Sequence, residues 1–151
     1  MTVDIVPFHI DHLQYWDTGN PEFDLLLKQL VQTREPELTF TGYIDGRLLG
    51  FGGIDLLWMN ANGRWVGDLW LNMSGQVILD TSQKAQIFWE LKKAMKEAIK
   101  KAKLCRLQCV VDSEYNIGNR FAKLIGMKLE AERIPKFSYQ EGFSNLYGMV
   151  F

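Results

Sequence analysis

Apolar residues return every three or four positions in three stretches of the chain, which is the period of an amphipathic helix. The predicted helical stretches are Asp11–Arg34, broken near Gly19-Asn20-Pro21, then Ser82–Lys103, and finally Asn116–Ile125 with Gly126 as a left-handed stop. In the first stretch the predicted apolar face comprises Leu25, Leu26, Leu30 and Val31, and Pro36 ends the helical region. In the second stretch it comprises Phe88, Leu91, Met95, Ala98 or Ile99, and Ala102, with Thr81 or Ser82 as the cap.

Shorter runs of alternating or continuous apolar residues predict the strands. These runs are Val3–His9, Leu38–Ile44, Arg47–Ile54, Val66–Asn72, Arg106–Val111, Met127–Phe137 and Leu146–Phe151. The pair Asp45-Gly46 is typical of a two-residue hairpin, and further turns are expected at Asn60–Gly63 and at Gly142. Hairpins followed by strand–helix–strand units favour a mixed sheet with helices on both faces.

Length and composition narrow the class of protein. With 151 residues, of which 47% are hydrophobic, and a formal net charge of −1, one domain with a substantial core is expected, and a disordered tail or general polyanion binder is excluded. Six lysines of the second helical stretch are either a solvated face or a surface for an anionic partner: Lys92, Lys93, Lys96, Lys100, Lys101 and Lys103. Aromatic residues are not interleaved with basic ones, so no nucleic-acid partner is predicted.

Other classes are excluded by what the sequence lacks. No apolar run approaches the ~20 residues that span a bilayer. Two histidines and two cysteines without ligand spacing argue against a metal site. Cys105 and Cys109 are too close around a predicted strand to form a disulfide, and the absence of a secretion signal fits a reduced, cytoplasmic compartment.

Residues 81–127 are the most informative part of the chain: a long helix, an apolar strand ending at Val110-Val111-Asp112, a polar turn, and a short helix closing on Leu124-Ile125-Gly126-Met127. This stretch resembles the second half of the GNAT acyltransferase fold, whose pattern reads roughly Val-Asp-x-x-Asn-x-x-Ala-x-x-x-Tyr-x-x-x-Gly-Phe. The resemblance implies a GNAT-like α+β fold, a mixed central sheet flanked by helices in the order β-α-α-β-β-β-α-β-α-β-β, over residues 1–151. It also implies acetyl-CoA as co-substrate and an amine as acceptor.

A narrower resemblance concerns the GNAT-like proteins of short-tailed bacteriophages, some of which are virion-associated. The chain is similar to them in Gly67-Asp68-Leu69-Trp70-Leu71, in lacking paired glycines before the long helix, and in Arg120-Phe121 ahead of Ile125-Gly126. This similarity implies that the protein resides in the host cytoplasm or in the virion. It also implies an alternative function, a non-catalytic interaction or structural module.

In the GNAT family, acyl-CoA lies beside a splayed strand whose backbone binds the pantetheine arm. Because Val66–Asn72 is similar to that strand, the resemblance implies cofactor contacts from Leu71, Asn72 and Met73. The family also carries Gln/Arg-x-x-Gly-x-Gly/Ala before the long helix, where backbone N–H groups approach the pyrophosphate. Here Gln83-Lys84-Ala85-Gln86-Ile87-Phe88 keeps the first residue but fills both glycine positions. Ser82, Gln83 and Lys84 are the phosphate contacts implied, provided that Gln86 points away.

The helix that follows departs from the family pattern as well. Alignment on Gly126 puts Tyr115 where the family commonly has Asn, with Asn116, a further implied cofactor contact, one residue later. The same alignment puts Ala122 where many members have the Tyr that protonates the leaving thiolate. Tyr115 is then the nearest candidate for a general acid, with Tyr139 and Tyr147 behind it, although half-buried packing also explains a tyrosine here.

Attack of an amine on a thioester needs a proton acceptor near the splay. Asp68 lies on the presumed splayed strand, where a number of family members place an acidic base; Asp55, His9 and His12 are alternatives. An aspartate within an apolar strand is atypical, although an edge charge or an ion pair with Arg64 or Arg106 would also explain it. The predicted function is transfer of an acetyl group to an amine by a monomer or homodimer.

Overall fold

The computed structural model describes residues 2–74, 79–135 and 142–151. The strands are β1 (Val3–Pro7), β2 (Thr39–Ile44), β3 (Arg47–Met59), β4 (Trp65–Met73), β5 (Leu104–Asp112), β6 (Lys128–Pro135) and β7 (Phe143–Val150). The α-helices are α1 (Pro21–Gln32), α2 (Thr81–Lys101) and α3 (Asn116–Leu124), and short 3-10 helices cover Ile10–Tyr15 and Pro36–Leu38. The predicted order of elements is confirmed, with a 3-10 helix as its first helical piece. Phe137, the predicted end of β6, lies outside the described residues.

The strands form one sheet in the order β1-β2-β3-β4-β5-β7-β6. β4 and β5 pair in parallel, whereas β1 with β2, β2 with β3, β5 with β7 and β6 with β7 pair antiparallel. Parallel pairing follows from the chain connection, because α2 carries the chain from the end of β4 back to the start of β5. The predicted mixed sheet is therefore confirmed.

Two predicted turns are confirmed by their backbone. Asp45 and Gly46 have φ angles of 47° and 74°, so both central residues of the β2–β3 hairpin adopt positive φ. At Asn60–Gly63, the Asn60 N–H donates to the Arg64 oxygen at 2.8 Å. This closure lets β3 run five residues beyond its predicted end at Ile54.

The chain divides into two compact units, Met1–Asp55 with Trp70–Ala98, and Leu56–Leu69 with Ile99–Phe151. Among the described residues of the first unit, two apolar clusters contribute to the core. One comprises Leu13, Trp16, Leu27, Val31 and Phe51, so it holds the first 3-10 helix and α1 against β3. The other comprises Val3, Ile44, Leu49 and Ile87, with Leu79 and Leu91 packed against it, and holds α2 against β1, β2 and β3.

The apolar face predicted for α1 is wrong except at Val31. Leu25, Leu26 and Leu30 are 60%, 54% and 44% exposed, and the buried positions are Asp24, Leu27 and Val31. Asp24 is buried because its carboxylate accepts hydrogen bonds from the Thr18 hydroxyl at 2.6 Å and from the Thr18 N–H. The hydroxyl bond is the main reason that the pKa of Asp24 is lowered. A turn preceding the helix thus decides which face is buried.

The face predicted for α2 needs one correction. Met95 and Ala98 are buried as expected, and Leu91 packs against the second cluster. In the first half of the helix, however, the buried residue is Ile87, and Phe88 is only half-buried. The Phe88 ring instead contacts Trp89 at 5.6 Å between centroids, with the Lys92 ammonium 5.6 Å from its centre.

In the second unit, an ion pair between Arg106 of β5 and Glu130 of β6 reaches across β7. The guanidinium donates to both carboxylate oxygens, one of them at 2.9 Å. Gly148 of β7 lies directly beneath, since a Cβ there would meet Glu130 Oε1 at 2.6 Å and Arg106 Nη2 at 2.8 Å. Glycine at this position therefore leaves the space that the pair occupies.

We expect Glu130→Gln to lower the free energy of unfolding at pH 7 by ~0.5–1 kcal/mol, the modest value of a partly exposed pair. The Arg106 hydrogen bond lowers the pKa of Glu130. A lowered pKa means that the stabilisation is complete above the unfolded-state value, about 4.3, and is lost as the pH falls through the folded-state pKa. Urea unfolding at a series of pH values from pH 7 down to about pH 2 should show a difference that is largest at pH 7 and shrinks as the pH falls. Glu132→Gln, a neighbouring exposed carboxylate, is the control; an equal loss in both variants would contradict the prediction.

Candidate active site

Asp68, the candidate base, lies where the parallel ladder between β4 and β5 ends. The ladder pairs Trp65, Val66, Gly67 and Asp68 with Leu104, Arg106, Leu107 and Gln108. Both strands continue beyond it, β4 to Met73 and β5 to Asp112. Asp68 is half-buried, and its charge adds to burial, the larger cause, in raising the pKa of the Cys109 thiol to about 12. Asp68 thus places a carboxylate at the last position where β4 pairs with β5.

The arginines considered as partners for Asp68 make other contacts. Arg106 pairs with Glu130, as described above. Arg64 donates to the backbone oxygen of Leu104 at 2.7 Å and to that of Phe151 at 3.3 Å. Both guanidinium groups therefore have structural roles at the ends of β5 and β7.

The implied pantetheine contacts lie on the second half of β4, in the first unit. Leu71, Asn72 and Met73 line a small apolar pocket together with Ile5, Phe40, Gly42, Leu49, Gly50, Phe51, Gly52, Ile87 and Leu91. Two glycines of β3 allow β4 to approach closely. A Cβ at Gly50 would lie 2.1 Å from the Asn72 oxygen, and one at Gly52 would lie 2.3 Å from Leu71 Cδ2. The structure therefore brings these three predicted residues to one pocket.

The N-terminus of α2 is capped by Asp80, not by Thr81 or Ser82 as predicted. Asp80 Oδ1 accepts from the Gln83 N–H at 2.8 Å, and Gln83 Oε1 accepts from the Asp80 N–H at 2.9 Å. This is a reciprocal capping box, and it places a carboxylate at the positive end of the helix dipole. The side chain of Gln83, an implied phosphate contact, is thus engaged within the protein. Ser82 and Lys84 are exposed, and Gln86 is half-buried.

Tyr115, the candidate acid, occupies the turn between β5 and α3 in the second unit. Its side chain is 55% exposed. The ring lies against Gly118, where a Cβ would be 2.6 Å from Tyr115 Cδ1 and 2.8 Å from Val111 Cγ1. Asn116, the implied cofactor contact beside it, is exposed at the start of α3.

Asn119, which the sequence did not single out, ties this turn to β7. Its Nδ2 donates to the backbone oxygens of Asp112 at 2.8 Å and Tyr115 at 2.9 Å. Its Oδ1 accepts from Asn145 Nδ2 and from the Tyr147 hydroxyl, both at 2.9 Å. The amide therefore holds both ends of the turn and two side chains of β7.

The other candidate acids have different environments. Tyr147 is 1% exposed, and burial is the main reason that the pKa of its hydroxyl is raised. Since that hydroxyl donates to Asn119, Tyr147 supports the network described above. Ala122, the position of the family's tyrosine, is 1% exposed on the inner face of α3. Tyr139 lies outside the described residues.

The alternative bases lie in the first unit. Asp55 is ion-paired with Arg34, whose guanidinium lies 5.1 Å above the centre of the Trp70 ring. His12 Nδ1 lies 2.7 Å from the Thr41 hydroxyl oxygen, and desolvation is the main reason that the pKa of His12 is lowered. His9 is exposed, and its Nδ1 accepts from the Asp11 N–H at 3.3 Å. Asp55 and His12 are therefore bound to neighbouring protein groups.

The candidate residues fall in both compact units. Leu71, Asn72, Met73 and the N-terminal residues of α2 belong to the first, and Asp68, Tyr115 and Asn116 belong to the second. Within the described part of the chain, no group of three or more His, Cys, Asp or Glu residues is suited to hold a metal ion. Across those same ranges, no helix combines the length and apolarity that crossing a membrane requires.

Comparison with known proteins identifies the fold. No family model and no curated protein matches the chain. Among solved structures, a GNAT-family acetyltransferase from Streptococcus pneumoniae superposes with a TM-score of 0.66 and 14% identity, covering 99% of this chain and 100% of that one. A GNAT-family acetyltransferase from Bacillus anthracis superposes with a TM-score of 0.70 and 15% identity, covering 98% of this chain and 94% of that one. The ribosomal L7/L12 α-N-protein acetyltransferase RimL, in complex with coenzyme A, superposes with a TM-score of 0.71 and 9% identity. The match covers 99% of this chain and 94% of that one.

These likenesses extend over nearly the whole chain, whereas the sequence identities are low. The chain therefore has the GNAT fold, as the resemblance of residues 81–127 implied. The activity depends on the residues of the candidate site, because one fold hosts many functions.

Proposed function

We propose that this chain is an N-acetyltransferase that moves an acetyl group from acetyl-CoA to an amine by direct attack. The observation that carries the proposal is the β4–β5 ladder, which ends at Asp68 while both strands of a GNAT-fold sheet continue. A strand with free backbone groups suits an extended amide such as pantetheine. In this proposal residues 1–151 act as one acyltransferase domain, as a monomer or homodimer.

The proposed reaction uses groups of this chain for both proton transfers. The amine nitrogen attacks the thioester carbonyl, forming the C–N bond, and the C–S bond breaks as the tetrahedral intermediate collapses. Asp68 accepts the proton that the amine loses, directly or through water. Tyr115 donates a proton to the departing thiolate. The backbone of Leu71, Asn72 and Met73 holds the pantetheine arm, and Ser82, Lys84 and Asn116 contribute further contacts.

Calorimetric titration with acetyl-CoA tests this proposal, together with an assay for thiol release in the presence of amines. Binding in the micromolar range and thiol release that depends on amine would support it. Absence of both heat and thiol release would favour the alternative, an interaction or structural module with a degenerate CoA site. The acceptor is proposed only as an amine on a small molecule or protein.

We further propose that the protein is encoded by a bacteriophage. This origin is supported by the Gly67–Leu71 segment, by the lack of paired glycines before the long helix, and by Arg120-Phe121. A place in the virion rather than the host cytoplasm is testable by probing purified particles for the protein. Its absence from particles would leave the cytoplasmic enzyme as the proposal.

The N-terminus of α2 provides the binding prediction. We expect Gln86→Gly to bind acetyl-CoA more tightly than wild type, because glycine opens the backbone to phosphate, although it costs ~1 kcal/mol in helix propensity. Calorimetric affinities of the two proteins are compared. Unchanged, measurable binding would show that Gln86 already points away from the phosphates. If neither protein binds, this helix end is not a phosphate site.

Asp80→Asn is the companion variant in the same titration. Asparagine keeps the Oδ1 acceptor for the Gln83 N–H but removes the negative charge. One unit charge at close range in water is worth ~1 kcal/mol, so affinity for acetyl-CoA should rise by about fivefold. The gain should shrink with added salt. Asp4→Asn, on the exposed side of β1, removes the same charge elsewhere and should leave the affinity unchanged.

A further inference from the structure

We propose that Gly118 and Asn119 are positioning residues that hold Tyr115 in place for the proton transfer to the thiolate. This inference rests on the proposed function, because it assigns the two residues to the acid of that reaction. It concerns residues that the sequence patterns did not mark, and every contact that carries it lies within the second compact unit.

Gly118 provides a seat for the Tyr115 ring. A Cβ at residue 118 would stand 2.6 Å from Tyr115 Cδ1 and 2.9 Å from Cε1, closer than real Cβ contacts come. Glycine inside a helix is unfavourable relative to alanine, so its presence in α3 calls for a reason. The ring against its Cα supplies one. Any larger residue at this position would push the ring away.

Asn119 fixes the backbone from which that ring projects. The Tyr115 oxygen accepts from the Asn119 N–H at 3.1 Å and from Nδ2 at 2.9 Å. The Asp112 oxygen accepts from the Tyr115 N–H at 3.0 Å and from Asn119 Nδ2 at 2.8 Å. The carbonyls at the two ends of the turn, those of Asp112 and Tyr115, therefore each accept two hydrogen bonds.

The same amide anchors the turn to a rigid strand. Its Oδ1 accepts from Asn145 and from the buried Tyr147 hydroxyl, and β7 pairs along β5 from Arg106 to Asp112. An exposed tyrosine on a loose turn would sample several rotamers. Here the backbone is fixed by Asn119, and the Cδ1–Cε1 edge of the ring lies against Gly118. The exposed side chain of Tyr115 thus projects from a defined position.

The test is a double-mutant cycle. Gly118→Ala should lower kcat by ~10–100-fold, the effect of misplacing a reacting group by about an ångström, with little change in the KM for acetyl-CoA. In a Tyr115→Phe background the same substitution should change kcat by less than about twofold, because the group that it displaces is already gone.

Asn119→Asp replaces the two N–H donors with an acceptor and should behave in the same way. Lys123→Ala, an exposed change on α3, is the control. Equal effects of Gly118→Ala in both backgrounds would overturn the proposal.

A second readout does not depend on turnover. In protein labelled with 3-fluorotyrosine, the resonance of Tyr115 is the one missing from Tyr115→Phe. In wild type the chemical shift of this resonance should differ from that of free 3-fluorotyrosine. In Gly118→Ala and Asn119→Asp it should move towards the free value. A Tyr115 resonance at the free value in wild type, or one unmoved in both variants, would overturn the proposal. If wild type transfers no acetyl group, the proposed function fails, while this resonance still decides whether Gly118 and Asn119 hold the ring.

Discussion

Replacement of Asp68 by asparagine is expected to lower the kcat of acetyl transfer by ~10²–10⁴-fold, the usual contribution of a positioned general base. Asparagine has nearly the same shape and can occupy the last position of the β4–β5 ladder, but it cannot take up the proton of the attacking amine. The KM for acetyl-CoA should change little, because the proposed pantetheine contacts come from the backbone beyond Asp68. Steady-state rates of thiol release at saturating amine measure the effect.

Matched variants separate this role from the other candidate bases. Asp4→Asn removes a carboxylate from an exposed position of β1 and should leave kcat unchanged. His12→Gln tests the histidine bound to Thr41, and we expect a small effect on kcat. An Asp68→Asn variant that keeps the wild-type rate would reject Asp68 as the base. A large loss in His12→Gln instead would transfer the role to His12.

The order of elements could be predicted because it depends on local signals. The 3.6-residue period marked the helices, and Gly46 and Gly126 marked turns that need positive φ, as their φ angles of 74° and 100° confirm. Errors appeared where the deciding contact comes from another element. The buried face of α1 is set by the Thr18–Asp24 hydrogen bonds, which place a carboxylate where the pattern expected leucine.

In the candidate site, too, some features are signalled by the local sequence, whereas others depend on contacts with distant residues. Asp80 with Gln83 three residues later is a capping signature, but Thr81 and Ser82 are equally good caps in sequence, so the pattern could not choose between them. The role of Asn119 depends on Asn145 and Tyr147, which lie 26 and 28 residues further along the chain. Contacts of this range leave no periodic signal. Asp68 and Tyr115 are candidates chiefly because of the family resemblance, to which the sequence adds the atypical place of Asp68 within an apolar strand.

The largest expected effect on stability comes from replacing Ile87, the residue that the orientation of α2 places in the core. Ile87→Ala should lower the free energy of unfolding by ~2–5 kcal/mol, the cost of removing a buried aliphatic side chain and leaving a cavity. Ile87 is 3% exposed and packs with Val3, Ile44 and Leu49. Ile87 also lines the pocket beside Leu71 and Asn72, so the new cavity would join an existing one. Urea unfolding followed by circular dichroism measures the change.

Phe88→Ala is the decisive comparison, because the sequence pattern placed Phe88, and not Ile87, on the buried stripe. A half-buried ring that contacts Trp89 and Lys92 loses far less than a buried one, so its replacement should cost no more than ~1 kcal/mol. Ile87→Val, which removes a single methylene, should cost ~0.5–1.5 kcal/mol and provides a graded control. Adjacent residues of a helix point about 100° apart. A larger loss for Phe88→Ala than for Ile87→Ala would therefore mean that α2 presents the other side to the core.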